Sequence, residues 1–419
     1  MTDQGEKQSQ DFFDIPKETW VVFSIRTINS LGFSATMPFL AVYLLTVRNV
    51  PYSLIGVLYL VTGTLGIASQ ILGGRLTDSI GPKKIMLTGY IFSFGSSLIL
   101  GYFVLIDASV FTFFVFYPIF SFLRGISQPA SSSIIAGQKA SKVRNGFSLL
   151  NIGGNLGFAI GPAIAGPIID IYNYSTVFLL SAGTSLAAAL IALAWIEGGR
   201  RYEVESSPNV KEQSAVRRWL SWKQDRNVIT FLILTFVLTV ANGYEITPLS
   251  LYVAGFLNFS NGLIGLLFAT NGAVIVLLQL PLTRLMERTG KLLTPLVFSA
   301  GFMVGAYILA GFSTTFPEFE VVMFIVTLGE IFLTVPAQTT ISLFSNAGNR
   351  GTYQGFYSAA SNTGRSVASF VGPTSFQLLA FEPQIAWYSI AGVALVTGVA
   401  FALLSPGLER DYEKIRYAL

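Results

Sequence analysis

Five charged residues fall inside long apolar stretches of the chain: Arg26, Arg124, Glu245, Glu330 and Arg365. A charge at the centre of a bilayer costs at least about 2.5–3.5 kcal/mol on insertion scales, so residues of this kind are candidates for function. Glu330 and Arg365 lie near the middle of two successive stretches. Their simplest reading is a buried ion pair, structural or gating. The sharper reading makes Glu330 a proton carrier. A carrier must be neutral in one step and charged in another, which a carboxylate near a movable arginine achieves and an arginine alone does not. Glu245, in the run Asn-Gly-Tyr-Glu-Ile-Thr-Pro (242–248), is expected toward the outer end of its stretch, as a gate or outer-vestibule residue, and is the alternative proton-coupling site if Glu330 is only half of a structural pair. Arg124 has no embedded acid in its own half of the chain. It must face water, a carbonyl, the other half or an anionic substrate. Arg26, a turn or two inside the first stretch, is expected to snorkel to the surface. Uncharged candidates for lining a cavity are Asn29, Gln70, Asn151, Asn155, Asn242, Tyr244, Asn271, Gln338 and Asn362, some of which must serve as helix–helix glue instead.

Other chemistry is excluded by residue type. The chain has no histidine and no cysteine, so near-neutral imidazole catalysis, thiol chemistry, disulfides and thiolate metal sites are absent. No embedded carboxylate cluster offers metal or nucleophile work, which disfavours a membrane enzyme. No Gly-x-x-x-x-Gly-Lys-Ser/Thr loop offers ATP drive. No metal or cofactor is expected, and the basic residues form no soluble patch for nucleic acid.

These residues must be positioned by membrane-spanning helices. The chain is 52% hydrophobic and 11% charged, where a soluble domain carries roughly 25% charged residues. Its apolar residues come in blocks of about 20, the length that crosses a hydrocarbon core of roughly 30 Å. Twelve spans are predicted: 19–46, 54–74, 85–106, 110–136, 145–168, 174–196, 228–253, 262–283, 292–312, 320–343, 353–379 and 385–405. Of 26 Lys and Arg, three lie in spans and Arg48 lies on one side of the membrane. The other 22 all fall on the opposite side, the positive-inside bias, so both termini are predicted cytoplasmic. The fold class is an all-α membrane protein. Its parts are a tail (1–18), a six-helix bundle (19–196), a linker (197–227), a second bundle (228–405) and a C-terminal tail (406–419). In the linker, residues 216–223 (VRRWLSWK) fit either a short amphipathic piece on the membrane surface or a solvated segment.

The two bundles repeat each other. Residues 54–81 align without gaps to 263–290, with nine identities that include Gly56/Gly265, Gly63/Gly272, Gln70/Gln279 and Arg75/Arg284. Asp78 falls opposite Glu287. Residues 151–162 match 362–373 at Asn, Gly and Gly-Pro. Parallel repeats of this kind serve alternating access about a midplane site.

Gly74-x-Leu76-x-Asp78-x-x-Gly81-x-Lys83-Lys84 resembles the loop 2–3 signature of the major facilitator superfamily. Gly157-x-x-x-Gly161-Pro162-x-x-Ala165-Gly166 is similar to the fifth-helix motif of its drug:proton antiporter branch, and Arg124 resembles that branch's embedded arginine. Departures are Ser79 in place of a basic residue, Pro129 in place of glycine, and no carboxylate in span 1. The resemblance implies a latch in which Asp78 meets the start of span 11 near Thr352. The repeat implies a second, Glu287 toward Gly146, with Arg284, Lys83 and Lys84 fixing the loops. A carboxylate at a helix N-terminus gains about 0.3–1 kcal/mol when exposed. Gly153, Gly157, Gly161 and Ala165, every fourth residue, form a small-residue ridge for close packing, Pro162 removes a backbone donor and can bend the helix, and Gly166 closes the packing motif. The function expected is secondary transport of a small molecule across the cytoplasmic membrane by a monomer. Proton-coupled export of an apolar or amphipathic compound is the first reading. Symport or exchange of an organic anion is the alternative, and a non-transporting sensor a third.

Overall fold

A computed structural model describes residues 15–138, 140–196, 226–289, 291, 293–344 and 350–418. The linker segment 216–223 lies outside the described residues. Every regular element among them is helical, as the long apolar blocks require: a backbone in hydrocarbon has to satisfy its own hydrogen bonds. In chain order these are α1 (Lys17–Thr46), α2 (Tyr52–Ile80), α3 (Pro82–Leu105), α4 (Val110–Gly125), α5 (Gln128–Ala136), α6 (Ala140–Ile171) and α7 (Tyr174–Trp195). There follow α8 (Arg226–Asn242), α9 (Thr247–Gly255), α10 (Asn261–Thr289), α11 (Thr294–Phe312), α12 (Phe316–Leu343), α13 (Arg350–Leu378) and α14 (Gln384–Ala418).

Among the described residues, eleven candidate spans are long and apolar enough to cross a membrane, with α4–α5 and α8–α9 each forming one broken span. The expected span 353–379 is there as helix α13 but falls short on apolarity. The run from Asn362 to Ser369 alone holds an asparagine, an arginine, a threonine and two serines. Helix α14 runs past the expected end at 405 to Ala418. The breaks follow from local chemistry. Pro129 stands in the first turn of α5 and Pro248 in the first turn of α9, where a missing N–H costs nothing but the preceding helix cannot continue. Gly81 between α2 and α3 has φ +98°, a conformation that favours glycine, and Pro82 starts the next helix. The loop glycine of the 74–84 signature is thus a turn residue.

Packing separates the chain into two units. One comprises residues 1–40, 65–206 and 260–272, the other 41–64, 207–259 and 273–419. The sequence halves are therefore interleaved: the first thirteen residues of the 260–289 region join the first unit, and 41–64 join the second. In the first unit α3 lies along α7, and Ile85, Met86, Tyr90, Ala188, Ala189 and Ala192 build a core with Val22 and Ile25 of α1. In the second, α11 lies along α12 and α14, and α8 along α13.

The glycine identities of the repeat mark close helix crossings. A Cβ on Gly265 would stand 2.3 Å from the Pro162 carbonyl oxygen, and one on Gly272 1.9 Å from Ala159 Cβ, so α10 rests on α6. The repeat partners Gly56 and Gly63 meet Phe370 at 3.0 Å and Ser366 Oγ at 2.1 Å, so α2 rests on α13. The α6 ridge also faces α1: a Cβ on Gly157 would meet the Thr27 carbonyl oxygen at 2.2 Å, and one on Gly161 the Leu31 carbonyl oxygen at 2.4 Å. Ser34 Oγ donates across this contact to the Gly157 carbonyl at 3.2 Å.

Candidate functional site

The break between α8 and α9 builds the site in the second unit. After Asn242 the chain makes one 3-10 turn, Gly243–Glu245, and Ile246 leaves helical geometry at φ −100°, ψ −94°. Interruption of a span frees backbone groups and aims side chains inward, the device by which transporters form binding and coupling sites. The Ala241 carbonyl, one residue before the end of α8, accepts a 2.5 Å hydrogen bond from Tyr307 Oη. Gly243 lets α13 approach: a Cβ there would lie 2.6 Å from Ala368 and 3.1 Å from Arg365 Cα.

Arg365 is so brought to the break. Its Nη2 lies 3.5 Å from Asn242 Oδ1, and Asn242 Nδ2 donates to Glu245 Oε1 at 3.0 Å. On the other side Arg365 Nη2 stands 4.0 Å from Glu330 Oε1. The order is Glu330, Arg365, Asn242, Glu245: two carboxyls linked through one guanidinium and one amide. Glu245 is 4% exposed and its Oε2 has no hydrogen-bond partner. Sequence reasoning placed Glu245 at an outer gate; the structure sets it inside the helix packing, at the centre of the span's break. The Arg365–Glu330 pair is also less buried than expected, with side-chain exposures of 41% and 20%. Such a pair contributes about 0–1 kcal/mol, so it is not a structural staple.

Other expected residues separate. Tyr244 belongs to an aromatic core with Tyr307 and Trp387, each about 6.1 Å away by ring centroid, rather than to a cavity wall. Asn242 is fully buried, Asn29 and Asn271 are buried, Asn155 and Asn362 are partly buried, and Asn151, Gln70 and Gln338 are exposed. The structure does not gather these amides into one site. Arg26 does not snorkel: its Nη1 donates to Gln128 Oε1, at the α4–α5 break. Arg124 lies in the first unit. Its guanidinium sits 3.9 Å above the Phe33 ring and reaches the Asn29 carbonyl at 3.4 Å, in a cavity lined by hydroxyls.

In the 74–84 loop, Asp78 and Arg75 are exposed and Lys84 likewise, while Lys83 Nζ donates to the Leu193 carbonyl at 3.0 Å and so ties α3 to the end of α7. Arg284 is exposed; the side chain of Glu287 lies outside the described residues, as do those of Thr352 and Arg350. No group of three or more acidic side chains that could hold a metal occurs among the described residues.

Sequence reasoning missed Asp170. At the end of α6 its carboxylate accepts from Asn261 N (3.1 Å), Asn261 Nδ2 (2.9 Å) and Gly262 N (2.7 Å), capping the first turn of α10. The second unit has a neutral counterpart: Gln377 Oε1, at the end of α13, accepts from Ser53 N at 2.8 Å. Ser53 and Gly262 are equivalent in the 209-residue repeat, which is the signal that pointed there. Asp170→Ala should cost about 0.5–2 kcal/mol at this cap. Hydrogen exchange at the amides of Asn261 and Gly262 should accelerate accordingly, and unchanged exchange would show the cap to be idle.

Long apolar helices with charge gathered at a broken span define a polytopic membrane protein. The sequence pattern of the Major Facilitator Superfamily matches residues 22–369, and the chain belongs to that superfamily. It is a transporter of that family rather than an enzyme, a multi-pass protein of the cell membrane. It is 23% identical over 395 residues to the uncharacterized MFS-type transporter YqjV of Bacillus subtilis, covering 93% of each chain. It is 26% identical over 402 residues to the quinolone resistance protein NorA of Staphylococcus aureus, covering 93% of this chain and 96% of that one. Among solved structures it is similar in fold to the peptide transporter POT in complex with sulfate, with TM-score 0.76, 16% identity and coverage of 96% and 98%. The nucleoside transporter NupG gives TM-score 0.73, 14% identity and coverage of 93% and 99%.

Proposed function

We propose that the chain is a proton-coupled exporter of apolar or amphipathic small molecules, working by alternating access as a monomer. Twelve spans, α13 included, make two homologous bundles (19–196 and 228–405), with both termini in the cytoplasm. The observation that carries the reading is the Glu330–Arg365–Asn242–Glu245 array at the broken span. It offers a proton two carboxyls and a cation that can exchange partners between them. Relationship to a quinolone resistance protein supports efflux and the drug:proton antiporter branch. Asp78 and Glu287 act as latches when the cytoplasmic side closes. A second reading, transport of an organic anion, is supported by Arg124 in its hydroxyl-lined cavity.

A thermal-shift screen of amphipathic compounds on the purified protein, followed by counterflow of any stabilising compound in proteoliposomes, tests this. Counterflow is expected; binding without counterflow would favour a sensor. For sidedness, a cysteine at Val47, 48% exposed, should be labelled by an impermeant thiol reagent in intact cells, and one at Tyr412 should be shielded. Val47 is preferred to Asn49, whose φ of 54° suits cysteine poorly. Labelling at Tyr412 would reverse the topology.

A further inference from the structure

The first unit contains a cavity between α1, α3, α4 and α7 whose lining joins one arginine to many hydroxyls and no carboxylate. Helical spacing assembles it. Ser93, Ser96 and Ser97 share one face of α3, and Tyr117, Ser121 and Arg124 share one face of α4. An arginine remains charged in any protein environment, and it carries five N–H donors in a planar fork. In Arg124 the face of that fork is occupied by the Phe33 ring at 3.9 Å, and one edge reaches the Asn29 carbonyl at the long distance of 3.4 Å. Arg124 is itself part of the cavity lining. Some of the hydroxyls are already committed: Ser96 to the Phe92 carbonyl, Thr36 to the Phe33 carbonyl, and Ser97 with Ser181. Ser93 is not. It is 4% exposed, it lines the cavity, and its Oγ has no hydrogen-bond partner. A buried hydroxyl left without a partner is costly unless something fills the space beside it.

We infer that this cavity is a binding site for a small monovalent anion, either chloride or the carboxylate head of a larger molecule, held by Arg124 and by the Ser93 hydroxyl. An anion there supplies the negative charge that the cavity lining lacks and accepts a hydrogen bond from Ser93 Oγ. It lies in the plane of the guanidinium, where charge-assisted hydrogen bonds are strongest. The inference stands apart from transport: it concerns occupancy of one cavity, and a failure of pH-driven flux would leave it untouched.

The test is equilibrium binding of radiolabelled chloride and radiolabelled acetate to the full-length protein in detergent. Ionic strength is held constant with sodium sulfate, whose divalent anion lies outside the proposed monovalent class. Saturable binding of one anion per chain is expected. Ser93→Ala, which removes the hydroxyl and adds no atom, should weaken it roughly tenfold, as loss of a hydrogen bond to a charged partner does. Arg124→Gln should abolish it. If Arg124→Gln does not fold, Ser93→Ala and Ser121→Ala decide, with unchanged gel-filtration profiles as the control on folding. Chloride binding without acetate binding marks a resident ion; acetate competing with chloride marks a head-group site. Absence of saturable binding by either ion, or binding undiminished in both Ser93→Ala and Arg124→Gln, overturns the inference.

Discussion

Glu245→Gln should abolish transport driven by a pH gradient while preserving ligand binding and ligand–ligand exchange. The amide is nearly isosteric with a protonated carboxyl, and its oxygen can still accept the 3.0 Å hydrogen bond from Asn242 Nδ2. The fold around the break therefore has no reason to fail. What is lost is a group able to take up and release a proton. Glu330→Gln should behave in the same way. Its pairing with Arg365 spans 4.0 Å at partial exposure, so breaking it costs about 0–1 kcal/mol rather than the about 3–5 kcal/mol of a deeply buried pair. Each variant is checked by flux into proteoliposomes with and without an imposed pH gradient, beside a counterflow assay. Loss of counterflow together with driven flux would assign these residues to the fold or to ligand binding, and coupling would have to lie elsewhere.

The second large effect is structural. Gly157→Val should destabilise the protein by about 1–3 kcal/mol or more, because its side chain would enter the backbone of α1 at Thr27 and backbone cannot step aside as a side-chain tip can. Gly154→Ala is the internal control. It lies on the same helix, but its nearest neighbour is Arg26 Nε at 3.4 Å, ordinary contact with a flexible side chain. Thermal denaturation of the purified variants should separate them clearly. Equal stability would show that α1 and α6 are not held at the distance these glycines permit.

Much of this architecture was legible in the residues. Span positions follow from apolar block length: the helix starts fall within about five residues of the expected limits, while α2, α10 and α14 run on past their expected ends at 74, 283 and 405 to Ile80, Thr289 and Ala418. Gly56/Gly265 and Gly63/Gly272 could be identified as equivalent but not explained, because their reason is a crossing with α13 or α6 that only tertiary packing reveals. The burial of Glu245 was hidden for a related cause. Counting along an unbroken helix puts it near one end, whereas the 3-10 turn after Asn242 swings it inward. Pro248 was the available warning of that break. Tyr244 looked like a cavity residue because a phenol carries a polar tip, yet its ring is claimed by Tyr307 and Trp387. Arg26 illustrates the limit of reasoning by depth. A long side chain near a span's end snorkels by default, but the α4–α5 break presents Gln128 to it first. The hydroxyl cavity around Arg124 was half visible: the spacing of Ser93, Ser96 and Ser97 is helical, but which faces converge is a property of packing.

The central claim is that proton movement drives this transporter. Its most direct test is accumulation of a screened amphipathic ligand in proteoliposomes under an imposed pH gradient, followed over time against its own concentration gradient. Uphill accumulation that collapses when a protonophore is added is the predicted result. Downhill equilibration at the same rate with and without the pH gradient would contradict it.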